Sequence, residues 1–122
     1  MRRTFLSAFA LAAGFAMTGP AFAHARLERA VPDGKATLAL TLDSLKLFFS
    51  EGLVIALSGV KVTDAGQHPV QTGTPVLAAC DDREMIVPLP ASLPVGKYTV
   101  LWHAVASDGH RAEGSYTFAV SH

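Results

Sequence analysis

The chain has 122 residues, half of them hydrophobic, with ten basic and ten acidic side chains and a formal charge of zero at neutral pH. That length suits one domain with a modest core. Without a surplus of Lys and Arg, neither nucleic acid nor an anionic lipid surface is implied as a partner.

Residues 1–23 read differently from the rest. Met1-Arg2-Arg3 gives a basic start, Phe5 to Met17 is an apolar run, Gly19-Pro20 interrupts it, and Ala21 and Ala23 are small residues spaced for cleavage. The pattern predicts a secretory signal peptide over residues 1–23. Its apolar run is too short to span a bilayer comfortably, so cleavage is expected rather than anchoring. The mature domain is then residues 24–122, beginning at His24. Losing Arg2 and Arg3 leaves eight basic against ten acidic side chains.

Along the mature chain, turn-forming residues recur at Pro32-Asp33-Gly34, Glu51-Gly52, Asp64-Ala65-Gly66, Thr72-Gly73, Pro88 to Pro94, Gly96 and Asp108-Gly109. Short alternating runs lie between them. Residues 37–42 are ambiguous between helix and strand. Ser44 to Phe49 and Ser58 to Thr63 alternate apolar with polar residues, and Tyr98 to Val105 is dense in strand formers. Ser115 to Val120 places Tyr116, Phe118 and Val120 on one face. No mature segment sustains an apolar pattern at helical spacing. About seven short strands with frequent turns predict an all-β domain, either an immunoglobulin-like Greek-key sandwich or a small barrel. Cys80 is the only cysteine, so no disulfide within the chain can staple the fold. The commoner fate of such a thiol is burial as a small, inert hydrophobe.

The chemistry has few places to sit. The mature chain has no Gly-rich phosphate loop, no Gly-x-Ser-x-Gly elbow and no Cys-x-x-Cys pair, which removes the commonest cofactor and nucleophile signatures. Histidines stand at 24, 68, 103, 110 and 122. A free N-terminal His24 offers its α-amine and its Nδ1 to one metal ion, and these borderline nitrogen donors suit Cu(II). Chance placement after a cleavage site gives the same residue with no role. In Ser107-Asp108-Gly109-His110, Asp108 and His110 are two apart and can converge on one ion, with Gly109 permitting the bend. An ordinary Asp-Gly turn beside an exposed histidine has the same spacing.

The segment Trp102-His103-Ala104-Val105-Ala106-Ser107-Asp108-Gly109-His110, followed by Gly114-Ser115-Tyr116-Thr117-Phe118, resembles the closing motif of the CopC/PcoC family of periplasmic copper-binding proteins. Pro32-x-Gly34, Leu47-Phe48-Phe49-Ser50-Glu51 and Leu93-Pro94-x-Gly96-x-Tyr98 resemble the same family in the same order, so the likeness spans nearly the whole mature chain.

The resemblance implies a Greek-key β-barrel or sandwich and one Cu(II) ion held by the amine and side chain of His24 together with Asp108 and His110. Glu51 falls where some members carry an acidic residue near the site. Some members also hold Cu(I) on a methionine-rich loop, whereas only Met85 survives removal of the signal peptide here. The implied role is a periplasmic copper carrier or buffer in copper resistance or homeostasis, not an enzyme. It would carry no lipid anchor, and its partner would be an inner-membrane copper transporter or another periplasmic copper protein. Two other readings share single features: a histidine-clamp copper oxidase like the lytic polysaccharide monooxygenases, and a metal-free immunoglobulin-like interaction module.

Overall fold

Alternation of apolar and polar residues builds the strands, because successive side chains of extended backbone point to opposite faces. In Ser44-Leu45-Lys46-Leu47-Phe48-Phe49, for example, Leu45, Leu47 and Phe49 are buried while Lys46 is exposed. The computed structural model describes residues 25–39, 42–90 and 93–121. The predicted signal peptide over 1–23, His24 and His122 lie outside the described residues.

Nine strands follow in chain order among the described residues: β1 (Leu27–Val31), β2 (Ala36–Leu38), β3 (Ser44–Phe49), β4 (Gly59–Thr63), β5 (Pro69–Val70), β6 (Val76–Ala78), β7 (Asp81–Pro88), β8 (Gly96–Val105) and β9 (Arg111–Val120). One 3-10 turn, Ile55–Leu57, precedes β4. They form two sheets, in spatial order β1-β3-β7-β6 and β2-β9-β8-β4-β5. The chain passes repeatedly from one sheet to the other, which makes the expected Greek-key sandwich. Three of the strands have three residues or fewer, which is why the sequence pattern suggests about seven. The ambiguous stretch near Thr37 supplies β2, a short edge strand that runs parallel to β9.

The core fills the space between the two inner faces. Leu45, Leu47, Phe49, Met85 and Val87 come from one sheet, while Val62, Val100, Trp102, Ala104 and Phe118 come from the other. Phe49 meets Trp102 edge to face at 5.2 Å between ring centroids, joining the sheets near one end. Trp102 lies opposite Gly114 on β9, and the indole occupies the space a side chain there would need. A Cβ on Gly114 would stand 2.7 Å from Cζ2 of Trp102.

Gly114→Ala is therefore expected to destabilise the fold by about 1–3 kcal/mol through overpacking. Urea unfolding checks it, with fluorescence of Trp102, the only tryptophan of the chain, reporting the displaced ring. Unaltered stability and an unaltered Trp102 spectrum would contradict this account of the Trp102–Gly114 contact.

Candidate metal centre

β8 and β9 are joined by a tight hairpin loop made of Ser107, Asp108 and Gly109. The Gly109 N–H donates to the Ala106 carbonyl at 2.8 Å, and the Ala106 N–H donates to the His110 carbonyl at 2.9 Å. This pairing of a β-turn with a following left-handed residue is a common three-residue hairpin loop. Gly109 has φ of 90°, a conformation that disfavours a side chain, so glycine is needed there.

The loop sets Asp108 and His110 against each other. The His110 N–H donates to Oδ1 of Asp108 at 2.9 Å, and Nδ1 of His110 lies 3.0 Å from Oδ2. Both side chains are roughly half exposed, at 41% for Asp108 and 47% for His110. The backbone N–H of His110, and after it the imidazole, hold the Asp108 carboxyl below its ordinary value. At 3.0 Å the contact is a hydrogen-bonded ion-pair distance, and it gathers an imidazole nitrogen and a carboxylate oxygen in one place. The contact orients the imidazole ring.

The rest of that end of the sandwich is built from three other segments. Leu53 bridges to Ala106, and the Gly52 carbonyl accepts both the N–H and the hydroxyl of Ser107, at 3.0 and 3.2 Å. Ala25 is buried at 1% exposure, and the Arg26 N–H donates to the Ser50 hydroxyl at 2.9 Å. The Asp82 carbonyl accepts the Leu53 N–H. A cavity of about 270 Å³ opens here, lined by Glu51, Asp82, Arg83 and Asp108 among others. Three carboxylates against one guanidinium give it a lining that favours cations. Among the described residues no group of three His, Cys, Asp or Glu is arranged to hold a metal ion. Asp108 and His110 supply two donors, and the expected third residue, His24, lies outside the described residues.

Residues 27–121 match the CopC domain family. The chain belongs to the CopC family. Among CopC relatives, Copper resistance protein C of Escherichia coli is 35% identical over 106 residues, covering 82% of this chain and 83% of that protein. Copper resistance protein C of Pseudomonas syringae pv. tomato is 32% identical and covers 98% of this chain and 96% of its own length. Protein YobA of Escherichia coli K12 is 38% identical over 85% of this chain and 84% of its own. Of the solved structures, CopC from Methylosinus trichosporium OB3b superposes with a TM-score of 0.75 at 34% identity, covering 80% of this chain and 94% of that one. PcoC from Escherichia coli, described as a methionine-rich copper resistance protein, gives 0.72 at 36% identity, with 81% and 100% covered.

Within this CopC domain the other flagged residues scatter. Met85 is wholly buried in the core. His68 is exposed in the β4–β5 turn, where Nδ1 lies 3.3 Å from Asp64 Oδ1. That turn lies at the opposite end of β8 from Asp108, since Thr63 pairs with Thr99 while Val105 pairs with Arg111. His103 is half-buried in mid-strand, packed beside Gly59 and paired across from Glu113. Cys80 overturns its expectation of burial: it is exposed in the β6–β7 turn, because three-residue β6 ends at Ala78 and the chain reverses at once into charged Asp81-Asp82-Arg83. Neither Ser50 nor Gly52 stands out in the sequence as a site residue: Gly52 reads as part of a turn, and Ser50 lies unmarked within the segment Leu47 to Glu51.

The Asp108 carboxyl of the metal-free protein is expected to titrate below the usual ~3.9. A depressed folded value means its stabilising contribution is complete above the ordinary carboxylate range and is lost as pH falls through the folded value. An NMR titration of the side-chain carboxyl carbon reads this directly. Asp108 midpoints at or above the ordinary value would contradict the hydrogen bonds described.

Proposed function

We propose that the protein is an exported copper-binding protein, cleaved after Ala23, that holds one Cu(II) ion through His24, Asp108 and His110. Copper is its cargo, carried or buffered in the periplasm as part of copper resistance or homeostasis. The observation that carries this reading is the Asp108–His110 pair, 3.0 Å apart at the end of the sandwich where the described chain starts. Arg26 bonds Ser50 at that same end, Ala25 before it is buried, and one peptide bond joins Ala25 to His24. Membership of the CopC family and kinship with two copper resistance proteins support the choice of metal.

The donor chemistry agrees with that choice. Imidazole, amine and carboxylate are nitrogen and oxygen donors that suit Cu(II) in a tetragonal site, whereas Cu(I) favours thioethers and thiolates. Cleavage after Ala23 matters chemically, because only a free α-amine has a basic lone pair. In a longer chain the same nitrogen is an amide and cannot coordinate in this way. No helix among the described residues is long and apolar enough to cross a membrane. Handing copper to an inner-membrane transporter or to another periplasmic copper protein is the partner relation this reading favours.

Protein processed to begin at His24 should bind one equivalent of Cu(II). At a hundredfold excess over the dissociation constant the stabilisation is about 2.7 kcal/mol, which should raise the melting temperature by roughly 10–20 °C. A form with one additional residue before His24 should fold equally well and lose most of that shift. His110→Ala and Asp108→Ala should each weaken binding, the histidine variant more. Equal copper affinity in the processed and extended forms would remove the α-amine from the site. No copper response in any form would leave the metal-free interaction module.

A further inference from the structure

We propose that Ser50 is a positioning residue for the copper site, its hydroxyl holding the start of the mature chain at the distance from the Asp108 loop that a shared ion requires. This rests on the proposed Cu(II) site and deepens it. The last regular pair between β1 and β3 is Leu27 with Phe49. One step further the two chains are still bonded both ways: the Ser50 N–H donates to the Arg26 carbonyl at 2.9 Å, and the Arg26 N–H donates to the Ser50 hydroxyl at 2.9 Å. A side-chain oxygen stands in for the carbonyl a strand would offer. The main chain of Ser50 is thereby released to turn into Glu51–Gly52 without letting go of Arg26.

That turn leads straight to the other half of the site. Two residues after Ser50, the Gly52 carbonyl accepts the N–H and hydroxyl of Ser107, the residue before Asp108. Residues 50–52 therefore grip the chain next to both proposed ligand positions, Arg26 through Ser50 and Ser107 through Gly52. Their spacing is fixed from a third side as well. There the Leu53 N–H donates to the Asp82 carbonyl at 2.9 Å, which ties this stretch of backbone to β7.

The hydroxyl contributes more to the site than to the fold. In Ser50→Ala the Ser50 backbone N–H still bonds Arg26, and the burial of Ala25 and Phe49 is untouched. What is lost is the restraint on the last residues before the ligand, and a ligand that must be ordered on binding costs affinity.

The test is Cu(II) titration with EPR detection on wild type, Ser50→Ala and Ser50→Thr, all processed to begin at His24, alongside melting of the metal-free proteins. Wild type and Ser50→Thr, which keeps the oxygen, should bind alike with one sharp spectrum. Ser50→Ala should keep its metal-free melting temperature but bind about tenfold more weakly, the scale of one hydrogen bond, with a broadened or mixed spectrum. Wild-type affinity and spectrum in Ser50→Ala would overturn the role of Ser50 while leaving the copper site standing. So would a loss that Ser50→Thr fails to restore. Wild-type protein that binds no Cu(II) would overturn the copper reading and this inference together.

Discussion

Ten residue pairs, from Gly96 with Val120 to Val105 with Arg111, tie β8 to β9 along their whole lengths. The inner face of this ribbon carries Tyr98, Val100, Trp102, Ala104, Phe118 and Val120, a large part of the core. Its register also decides where the chain must reverse. With Ala106 and His110 closing the ladder, three residues remain for the loop, and Gly109 takes the left-handed position that such a loop needs. Asp108 and His110 are thereby placed by strand pairing rather than by a flexible loop, which is what a binding site needs from its scaffold.

Core and candidate site are neighbours but not the same thing. Phe49 and Trp102 join the two sheets beneath the loop, while Asp108 and His110 stand in solvent above it. The fold buries its apolar residues without calling on these two donors, so a metal-free folded state is expected, unlike that of small domains whose folding requires their metal. The proposed carrier role would use this separation, because such a protein must keep its shape both loaded and empty. Copper then adds stability only in proportion to its occupancy.

Much of this was legible from the residues. Asp108-Gly109 marks the hairpin loop because so few residues tolerate the backbone it needs, and the alternation in Ser44 to Phe49 gives β3 with the bounds observed. Tyr98 to Val105 and Ser115 to Val120 fall inside β8 and β9. β7 was hidden, because its first three residues, Asp81-Asp82-Arg83, are charged and exposed and reach over the end of the sandwich before Met85 and Val87 turn inward. Cys80 reads as a hydrophobe by type, yet its position in a reversal between strands exposes it. The part played by Ser50 has no periodic signal at all: a hydroxyl standing in for a backbone carbonyl depends on which strand happens to lie opposite. The pairing of Asp108 with His110 follows from their spacing, whereas His24 lies outside the described residues and rests on the cleavage pattern and the family resemblance.

In the proposed site one Cu(II) ion is held by nitrogen and oxygen donors drawn from the mature N-terminus and the Asp108 loop. X-ray absorption of the protein processed to begin at His24 and loaded with one equivalent of Cu(II) tests it most directly. The expected spectrum shows a first shell of nitrogen and oxygen alone, with the outer-shell scattering of two imidazoles. A sulfur scatterer, which would bring in Cys80 or Met85, or the signature of a single imidazole, would contradict it.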